Sequence, residues 1–220
     1  MDGSLNWLHL SEQKVLSGFK FPKKRNDWAL GRWTAKNAVR SFLKKNHQFL
    51  SMSDIEIVSA EDGAPEVFYN GEPLPAFISL SHSHGKAFCV VSPHGIMLGC
   101  DLEKIEHRSE LFVRDYFTKN EQDFISLNGK ASHPLWANLV WSAKESALKA
   151  LRLGLRIDTR LVEVDFAPFE EFSFWKKFKV TASEHSMVFQ GYWCSASNSV
   201  MTVVSDTQAF ELIEIRDSNK

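Results

Sequence analysis

The segment Trp33-Thr34-Ala35-Lys36 returns about half the chain later as Trp141-Ser142-Ala143-Lys144. Apolar residues at helical spacing follow both copies, which predicts that each copy lies in one long helix. A second similar pair, Phe88-Cys89-Val90-Val91-Ser92 and Met201-Thr202-Val203-Val204-Ser205, has a nearly equal separation. Chance similarity between short apolar segments is the alternative. The matching separations favour an internal duplication.

This repeat predicts an α+β fold of two similar halves, residues 1–108 and 109–220. In each half a long helix packs on a small antiparallel sheet, and a pseudo-twofold axis relates the halves. We expect the first long helix at about residues 28–44, with Asp27 as its N-cap. The second is expected at about residues 134–153, with Gly154 as its stop.

Shorter elements are predicted from turn and capping signals. Thr118-Lys119-Asn120-Glu121 has the pattern of a capping box, which predicts that a helix starts there. Residues 87–92 and 96–103 are predicted to form a hairpin around Pro93-His94-Gly95. Further strands are expected at residues 66–69 and 76–80 and at four places between 162 and 204.

Composition limits the possible classes. The 220 residues carry a formal net charge of −1, which gives no indication of a general affinity for nucleic acid or an anionic membrane. No apolar run is long enough for a membrane span, and the first residues do not have the pattern of a signal peptide. The three cysteines lack metal-ligand spacing. We therefore expect reduced thiols and a cytoplasmic location.

Two acidic residues share one face of the strand predicted at residues 96–103. Side chains alternate along a strand, so Gly99, Asp101 and Glu103 point the same way. Two carboxylates on one face repel each other unless a cation lies between them, and Gly99 would let a ligand approach the backbone. The alternative is an edge strand with a solvated acidic face.

A third carboxylate lies in the second long helix. Glu145 and Lys149 are four residues apart and therefore share a helix face. A surface ion pair is the alternative, and it would stabilise the fold by only about 0.3–0.5 kcal/mol. Trp141 and Leu148 are expected to anchor this helix to the core, which would hold Glu145 at a fixed height beside a strand.

Two further segments carry groups that suit phosphate. Ser81 and His82, followed by Ser83 and His84, are short hydrogen-bonding side chains at the end of a strand. A turn stabilised by its own hydroxyls and a histidine metal pair are the alternatives. The cationic candidates lie near the first long helix: Lys24, Arg25, Arg32. Arg32 follows Gly31, a residue that costs a helix about 1 kcal/mol and so indicates close approach of a ligand or another backbone.

Together these segments resemble the 4′-phosphopantetheinyl transferase family, and most closely its larger, surfactin-synthetase-activating type, in which one chain contains two similar halves. Gly99-Cys100-Asp101-Leu102-Glu103 matches the family's Gly-x-Asp-x-Glu strand. Residues 141–149 match its Trp-(Ser/Thr)-x-Lys-Glu-(Ser/Ala)-x-x-Lys helix. The upstream Ser81-His82-Ser83 and the early Lys24-Arg25 and Gly31-Arg32 pairs are similar to family elements as well.

The resemblance implies an enzyme that transfers the 4′-phosphopantetheine arm of coenzyme A to a serine of an acyl or peptidyl carrier protein and releases 3′,5′-ADP. It implies a Mg²⁺ ion as cofactor, with these ligands: Asp101, Glu103, Glu145. The implied catalytic residues are Glu145, Lys149, Asp101. The implied coenzyme A contacts are Lys24, Arg25, Arg32, Ser81, His82, Lys144.

The carrier protein is the expected macromolecular partner, and nucleic acid and membrane are not expected to be partners. A chain with two similar halves can build its own site, so we expect a monomer. Four side chains between residues 112 and 127 are candidates for an apolar carrier groove, although core packing is the better expectation for at least two of them: Tyr116, Phe117, Phe124, Ile125. The alternative functions are a non-catalytic coenzyme A or carrier-binding module and a metal-dependent phosphodiesterase.

Overall fold

Two long helices lie on antiparallel strands in the computed structural model, which describes residues 5–44, 50–166, 173–207, 210, 212 and 213. The fold of these residues is α+β, as predicted. The helices are α1 (Leu10–Ser17), α2 (Pro22–Lys44), α3 (Glu110–Tyr116), α4 (Lys119–Leu127) and α5 (His133–Ala150). The strands are β1 (Ile55–Ser59), β2 (Pro65–Tyr69), β3 (Glu72–Pro73), β4 (Ala76–Ser83), β5 (Lys86–Pro93), β6 (Leu98–Lys104), β7 (Val162–Phe166), β8 (Lys176–Ala182), β9 (Met187–Ala196) and β10 (Ser199–Ser205).

The described strands form three antiparallel sheets. Their orders are β1-β2-β3, β4-β5 and β6-β10-β9-β8-β7. Helix α2 packs on the first two sheets around a core that contains Ala35, Val39 and Ile55. Helix α5 packs on the five-stranded sheet around a larger core that contains Leu139 and Trp193. Each long helix therefore has its own hydrophobic core.

Helix α2 begins earlier than the sequence predicted. It starts at Pro22, so Asp27 lies inside the helix and the prediction that it is the N-cap is wrong. Proline suits a first helical position because its ring presets φ and its missing N–H needs no partner there. Lys24 and Arg25 consequently lie in the first turns of α2, with exposed side chains.

The capping box before α4 is confirmed. The Thr118 side chain accepts a hydrogen bond from the backbone N–H of Glu121, and the Glu121 carboxylate accepts one from the backbone N–H of Thr118. Helix α1 has the same arrangement, with His9 as cap and Glu12 as its partner. Helix α1 was not predicted, because histidine is not a typical N-cap residue.

The predicted hairpin of β5 and β6 is wrong. Strand β5 pairs with β4, and β6 pairs with β10, so that Asp101 lies opposite Thr202 and Glu103 opposite Val200. Strand β6 is covered on one side by α5 and contacts the β4–β5 hairpin as well, where the Cys100 thiol donates to the Ser79 carbonyl. It joins the strands of the second predicted half, although it lies before the predicted boundary at residue 108.

A buried ion pair joins α5 to α4. The Lys144 ammonium lies 2.9 Å from Glu121 Oε2 and also donates to the carbonyls of Thr159 and Val162. Glu121 in turn accepts a hydrogen bond from the backbone N–H of Val164. The Lys144 side chain is 0% exposed, so these contacts saturate its three donors inside the core.

An equivalent ion pair supports α2. The Lys36 ammonium pairs with Glu12 and donates to the carbonyls of Trp7 and Met52. Glu12 accepts a hydrogen bond from the backbone N–H of Ile57 in β1, as Glu121 does from Val164 in β7. Lysine, capping-box glutamate and strand amide therefore recur in the same relation in both parts of the chain.

Within the residues that the structure describes, no helix combines the length and the apolar character needed to cross a bilayer.

Candidate active site

Strand β6 and helix α5 touch backbone to backbone at Gly99. A Cβ placed on Gly99 would lie 1.8 Å from the Ser146 carbonyl oxygen and 2.9 Å from the Ala150 nitrogen. The space that we expected for a ligand is therefore filled by α5. Glycine is required here because it lets the helix approach the strand that carries the two acidic residues.

We expect Gly99→Ala to destabilise the fold by about 3 kcal/mol, the upper end of what overpacking commonly costs, because the colliding atoms belong to backbone and cannot rotate away. Urea unfolding followed by circular dichroism measures this. The matched control is Gly31→Ala in α2, where the added Cβ meets side chains and not backbone, Leu80 at 3.2 Å and His82 at 3.9 Å. A Gly99→Ala protein no less stable than Gly31→Ala would contradict this explanation.

Asp101 lies at the centre of the site and is 1% exposed. Its Oδ1 accepts hydrogen bonds from Lys149 Nζ at 2.7 Å and from Ser81 Oγ at 2.8 Å. Its Oδ2 is buried and has no hydrogen-bond partner within the described part of the chain. A buried carboxylate oxygen without a partner is costly unless it binds something, so Oδ2 is the atom here that most requires a ligand.

Glu103 lies two residues further along β6, and its partner is Arg108. Arg108 Nη2 donates to Glu103 Oε2 at 2.9 Å. Burial, followed by the negative charge of Asp101, raises the pKa of Glu103 to about 7, although Arg108 acts in the opposite direction. The neighbouring carboxylates thus make full ionisation of Glu103 costly without a further positive charge.

Glu145 comes to the same place from α5. Its Oε2 lies 4.0 Å from Lys149 Nζ. Burial and then the charge of Asp101 raise the pKa of Glu145, and its own charge contributes to the raised pKa of Glu103. The strand carboxylates and the helix carboxylate therefore lie within electrostatic range of one another.

Lys149 is the cation that joins helix and strand. Besides Asp101, its ammonium donates to the Cys100 carbonyl at 3.1 Å. Burial is the largest single effect and lowers the pKa of Lys149, but the negative charges around it and its hydrogen bond to Asp101 together outweigh burial, so the pKa lies above its usual value and the side chain is charged. Lys149 is 29% exposed, which leaves part of the side chain accessible to a substrate.

The carboxylates fit a hard divalent cation chemically. Three carboxylates, one of which contains the partnerless Oδ2 of Asp101, supply the oxygen ligands that Mg²⁺ prefers. In the described part of the chain, however, no three His, Cys, Asp or Glu side chains already stand in a metal-binding arrangement. Lys149 and Arg108 instead provide the positive charge next to Asp101 and Glu103.

The Ser81-His82 pair divides between two environments. Ser81 is buried and donates its hydroxyl proton to Asp101, which orients that carboxylate, while its contact with coenzyme A stays a prediction. His82 points the other way and is exposed. Its ring lies 3.9 Å from where a Gly31 Cβ would be, so Gly31 accommodates side chains of β4.

Two residues predicted to contact coenzyme A, Arg32 and Lys144, have buried side chains. Arg32 is 9% exposed, its Nε lies 3.8 Å from Glu12 Oε1, and its guanidinium stacks 4.8 Å above the Trp28 ring. Lys144 is enclosed with Glu121 in the core. The Lys144 ammonium is fully paired, whereas the buried Nε of Arg32 lies near Glu12 but has no hydrogen-bond partner among the described residues.

The four candidates for a carrier groove differ in how exposed their side chains are. Phe117 and Ile125 are each 1% exposed and belong to the core, as expected for at least two of the four. Phe124 is partly buried and stacks against Phe166 at 5.1 Å. Tyr116 is 40% exposed and is the member of the set that a partner could reach most easily.

Two residues of the site, Arg108 and Asn138, were not predicted from the sequence. Asn138 lies on α5 seven residues before Glu145, which places both on one helix face, so helical spacing could have identified it. Arg108 follows β6 in an irregular segment, and no sequence signal connected it to Glu103.

The same segment is similar to a known protein family. Residues 97–202, which contain β6 and α5, match the model of the 4′-phosphopantetheinyl transferase superfamily. Over 142 residues the chain is 28% identical to the 4′-phosphopantetheinyl transferase gsp of Aneurinibacillus migulanus, covering 61% of this chain and 58% of that protein. These matches confirm the recognition made from the two signatures.

Two shorter relatives match over a smaller part of the chain. The holo-[acyl-carrier-protein] synthase of Streptococcus agalactiae is 37% identical over 79 residues, which are 34% of this chain and 64% of that protein. The holo-[acyl-carrier-protein] synthase of Streptococcus uberis is 38% identical over 80 residues, or 32% and 66%. The chain thus spans about three fifths of the length of the first relatives that it matches.

Proposed function

We propose that the protein transfers the 4′-phosphopantetheine arm of coenzyme A to a serine of an apo carrier protein, because residues 97–202 match the model of the 4′-phosphopantetheinyl transferase superfamily. The observation that carries the proposal is the convergence of Asp101, Glu145 and Lys149 between β6 and α5. The names of the relatives, a transferase and holo-carrier synthases, support the enzyme class.

Each residue has a role in the proposed reaction. The carrier serine Oγ forms a bond to the β-phosphorus of coenzyme A, while the bond to 3′,5′-ADP breaks. Glu145 accepts the serine proton, and its raised pKa suits a general base. Lys149, which is charged and partly accessible, stabilises the negative charge that develops on the leaving group.

The same site would hold Mg²⁺ through Asp101, Glu103 and Glu145. When bound, the ion would neutralise charge on the pyrophosphate. The partnerless Oδ2 of Asp101 is the best-defined donor for it. Ser81 fixes the other oxygen of Asp101, so the carboxylate keeps one orientation.

The nucleotide end of coenzyme A is assigned to fewer residues than the resemblance implied. Lys24, Arg25 and His82 have exposed side chains and keep their proposed contacts with phosphate. Arg32, Ser81 and Lys144 have buried side chains, and their contacts with coenzyme A stay predictions. Lysine and arginine side chains form charge-assisted hydrogen bonds with phosphate oxygens.

The repeated ion pairs support the pseudo-twofold relation between residues 1–108 and 109–220. Lys36 and Lys144 follow matching tryptophans and pair with equivalent glutamates. The residues that correspond to Glu145 and Lys149 are Asn37 and Ser41, which cannot supply a base or a cation. We therefore propose a single active site. We also propose that the protein is a cytoplasmic monomer.

The proposed function is tested by intact-mass spectrometry of apo carrier proteins incubated with the protein, coenzyme A and Mg²⁺. A panel of acyl and peptidyl carriers is used because the carrier is not specified. A gain of one phosphopantetheine arm on the carrier serine is expected. No gain on any carrier, with coenzyme A binding intact, would instead support a non-catalytic binding module.

Lys149→Met is expected to slow transfer by about 10²–10³-fold, since it removes a positive charge preorganised for the leaving group. The initial rate of carrier modification at saturating coenzyme A measures the effect. The matched control is Lys119→Met, which removes a lysine from an exposed ion pair with Asp123. A Lys149→Met rate equal to that of the control would remove Lys149 from the mechanism.

A further inference from the structure

Arg108 is the cation in contact with Glu103, and it is held from two further directions. Its Nη2 donates to Glu103 Oε2 at 2.9 Å, and its Nε donates to Asn138 Oδ1 at 2.7 Å. Its guanidinium carbon lies 4.9 Å from the centre of the Phe112 ring. An arginine fork fixed in this way gives the carboxylate that it binds a defined orientation.

Asn138 fixes Arg108 in turn. Its side chain is 0% exposed, and its Nδ2 donates to the carbonyls of Glu106 and Pro134 at 2.6 and 2.7 Å. Two carbonyl acceptors can be satisfied only by the NH₂ end of an amide. The amide oxygen must therefore face Arg108, so the orientation of the pair follows from the backbone of α5 and of the segment after β6.

We propose that Arg108, oriented by Asn138, is a positioning residue that holds Glu103 by Oε2 and so keeps Oε1 directed to a divalent cation. The inference rests on the proposed function, because that function supplies the cation. It adds a role for two residues outside both family signatures. Partners that orient a metal ligand typically contribute 10–100-fold to metal affinity.

The test measures cation binding without any substrate. Mn²⁺ takes the same oxygen ligands as Mg²⁺, and its free concentration is read from its EPR signal during titration of the protein. Two variants keep all charges and remove only the positioning: Arg108→Lys replaces the fork by a single ammonium, and Asn138→Ala removes the contact that fixes it. Arg114→Lys is the matched control, because Arg114 pairs with Asp115 at the surface of α3.

We expect Arg108→Lys and Asn138→Ala to weaken Mn²⁺ binding by about 10–100-fold and Arg114→Lys to leave it unchanged. In the transfer assay the Mg²⁺ concentration for half-maximal rate should rise, while kcat at saturating Mg²⁺ stays near wild type. A merely structural role would lower the stability without shifting the Mg²⁺ dependence. If Asn138→Ala does not fold, Arg108→Lys decides alone.

Wild-type Mn²⁺ affinity in the folded Arg108→Lys protein would overturn the inference. So would an increase in the KM for the carrier protein alone, because it would make Arg108 a carrier contact. A wild-type protein that binds no Mn²⁺ would also overturn it. If wild type binds Mn²⁺ and Arg108→Lys binds it more weakly, but no carrier is modified, the positioning role holds and the proposed function fails.

Discussion

Asp101→Asn is expected to reduce phosphopantetheine transfer by about 10³-fold, corresponding to about 4 kcal/mol of lost transition-state stabilisation. The substitution keeps the shape of the side chain and an acceptor for Ser81, but it removes the charge that faces Lys149 and the cation. Asp101 is 1% exposed, and among the residues that the structure describes its Oδ2 has no hydrogen-bond partner, so this oxygen is available to the cation. Carrier modification followed by mass spectrometry gives the rate.

The control for this prediction lies on the same sheet. Asp165 is exposed on β7, at the edge opposite β6, so Asp165→Asn removes an equal charge far from the site. It should transfer at the wild-type rate. Circular dichroism establishes that the Asp101→Asn protein is folded, and transfer by that folded protein within tenfold of wild type would contradict the assignment of Asp101.

Lys144→Met is expected to destabilise the protein by about 3–5 kcal/mol, the usual cost of leaving a buried charge without its partner. Glu121 would remain in the core with its backbone hydrogen bonds but without the ammonium. Urea unfolding measures the change in the free energy of unfolding. The equivalent substitution Lys36→Met, which leaves Glu12 unpaired beneath α2, should have an effect of the same order.

Two variants separate the loss of the ion pair from the loss of a lysine. The double variant Lys144→Met with Glu121→Gln leaves no unpaired charge and should recover much of the stability. Lys119→Met, at the exposed pair with Asp123, should cost about 0.5 kcal/mol or less. If Lys144→Met were as mild as Lys119→Met, the buried pair could not be the support of α5.

The location of the site could be predicted because two short-range periodicities determine it. Alternation along β6 places Gly99, Asp101 and Glu103 on one side, and the four-residue spacing on α5 places Glu145 with Lys149. The same local geometry indicates that the Lys144 side chain points away from the site. Lys144 precedes Glu145 by one residue and therefore lies about 100° around the helix, on the face that meets the core.

The errors arise from contacts between residues far apart in the chain. The segment after β5 has the composition of a turn, but β6 pairs with β10, about a hundred residues later, and local sequence contains no information about that partner. Arg32 was predicted to contact phosphate, but its Nε lies 3.8 Å from Glu12, which belongs to a helix that was not predicted. Gly99 meets α5, which its own strand does not reveal.

The central claim is that Asp101, Glu103 and Glu145 hold one divalent cation. The most direct measurement is a crystal structure of the protein with coenzyme A and Mn²⁺, with the ion located by its anomalous scattering. We expect a single peak that is bound by an oxygen of each of the three carboxylates, with Asp101 contributing Oδ2. A peak that excludes Glu145, or one bound elsewhere in the protein, would contradict the claim.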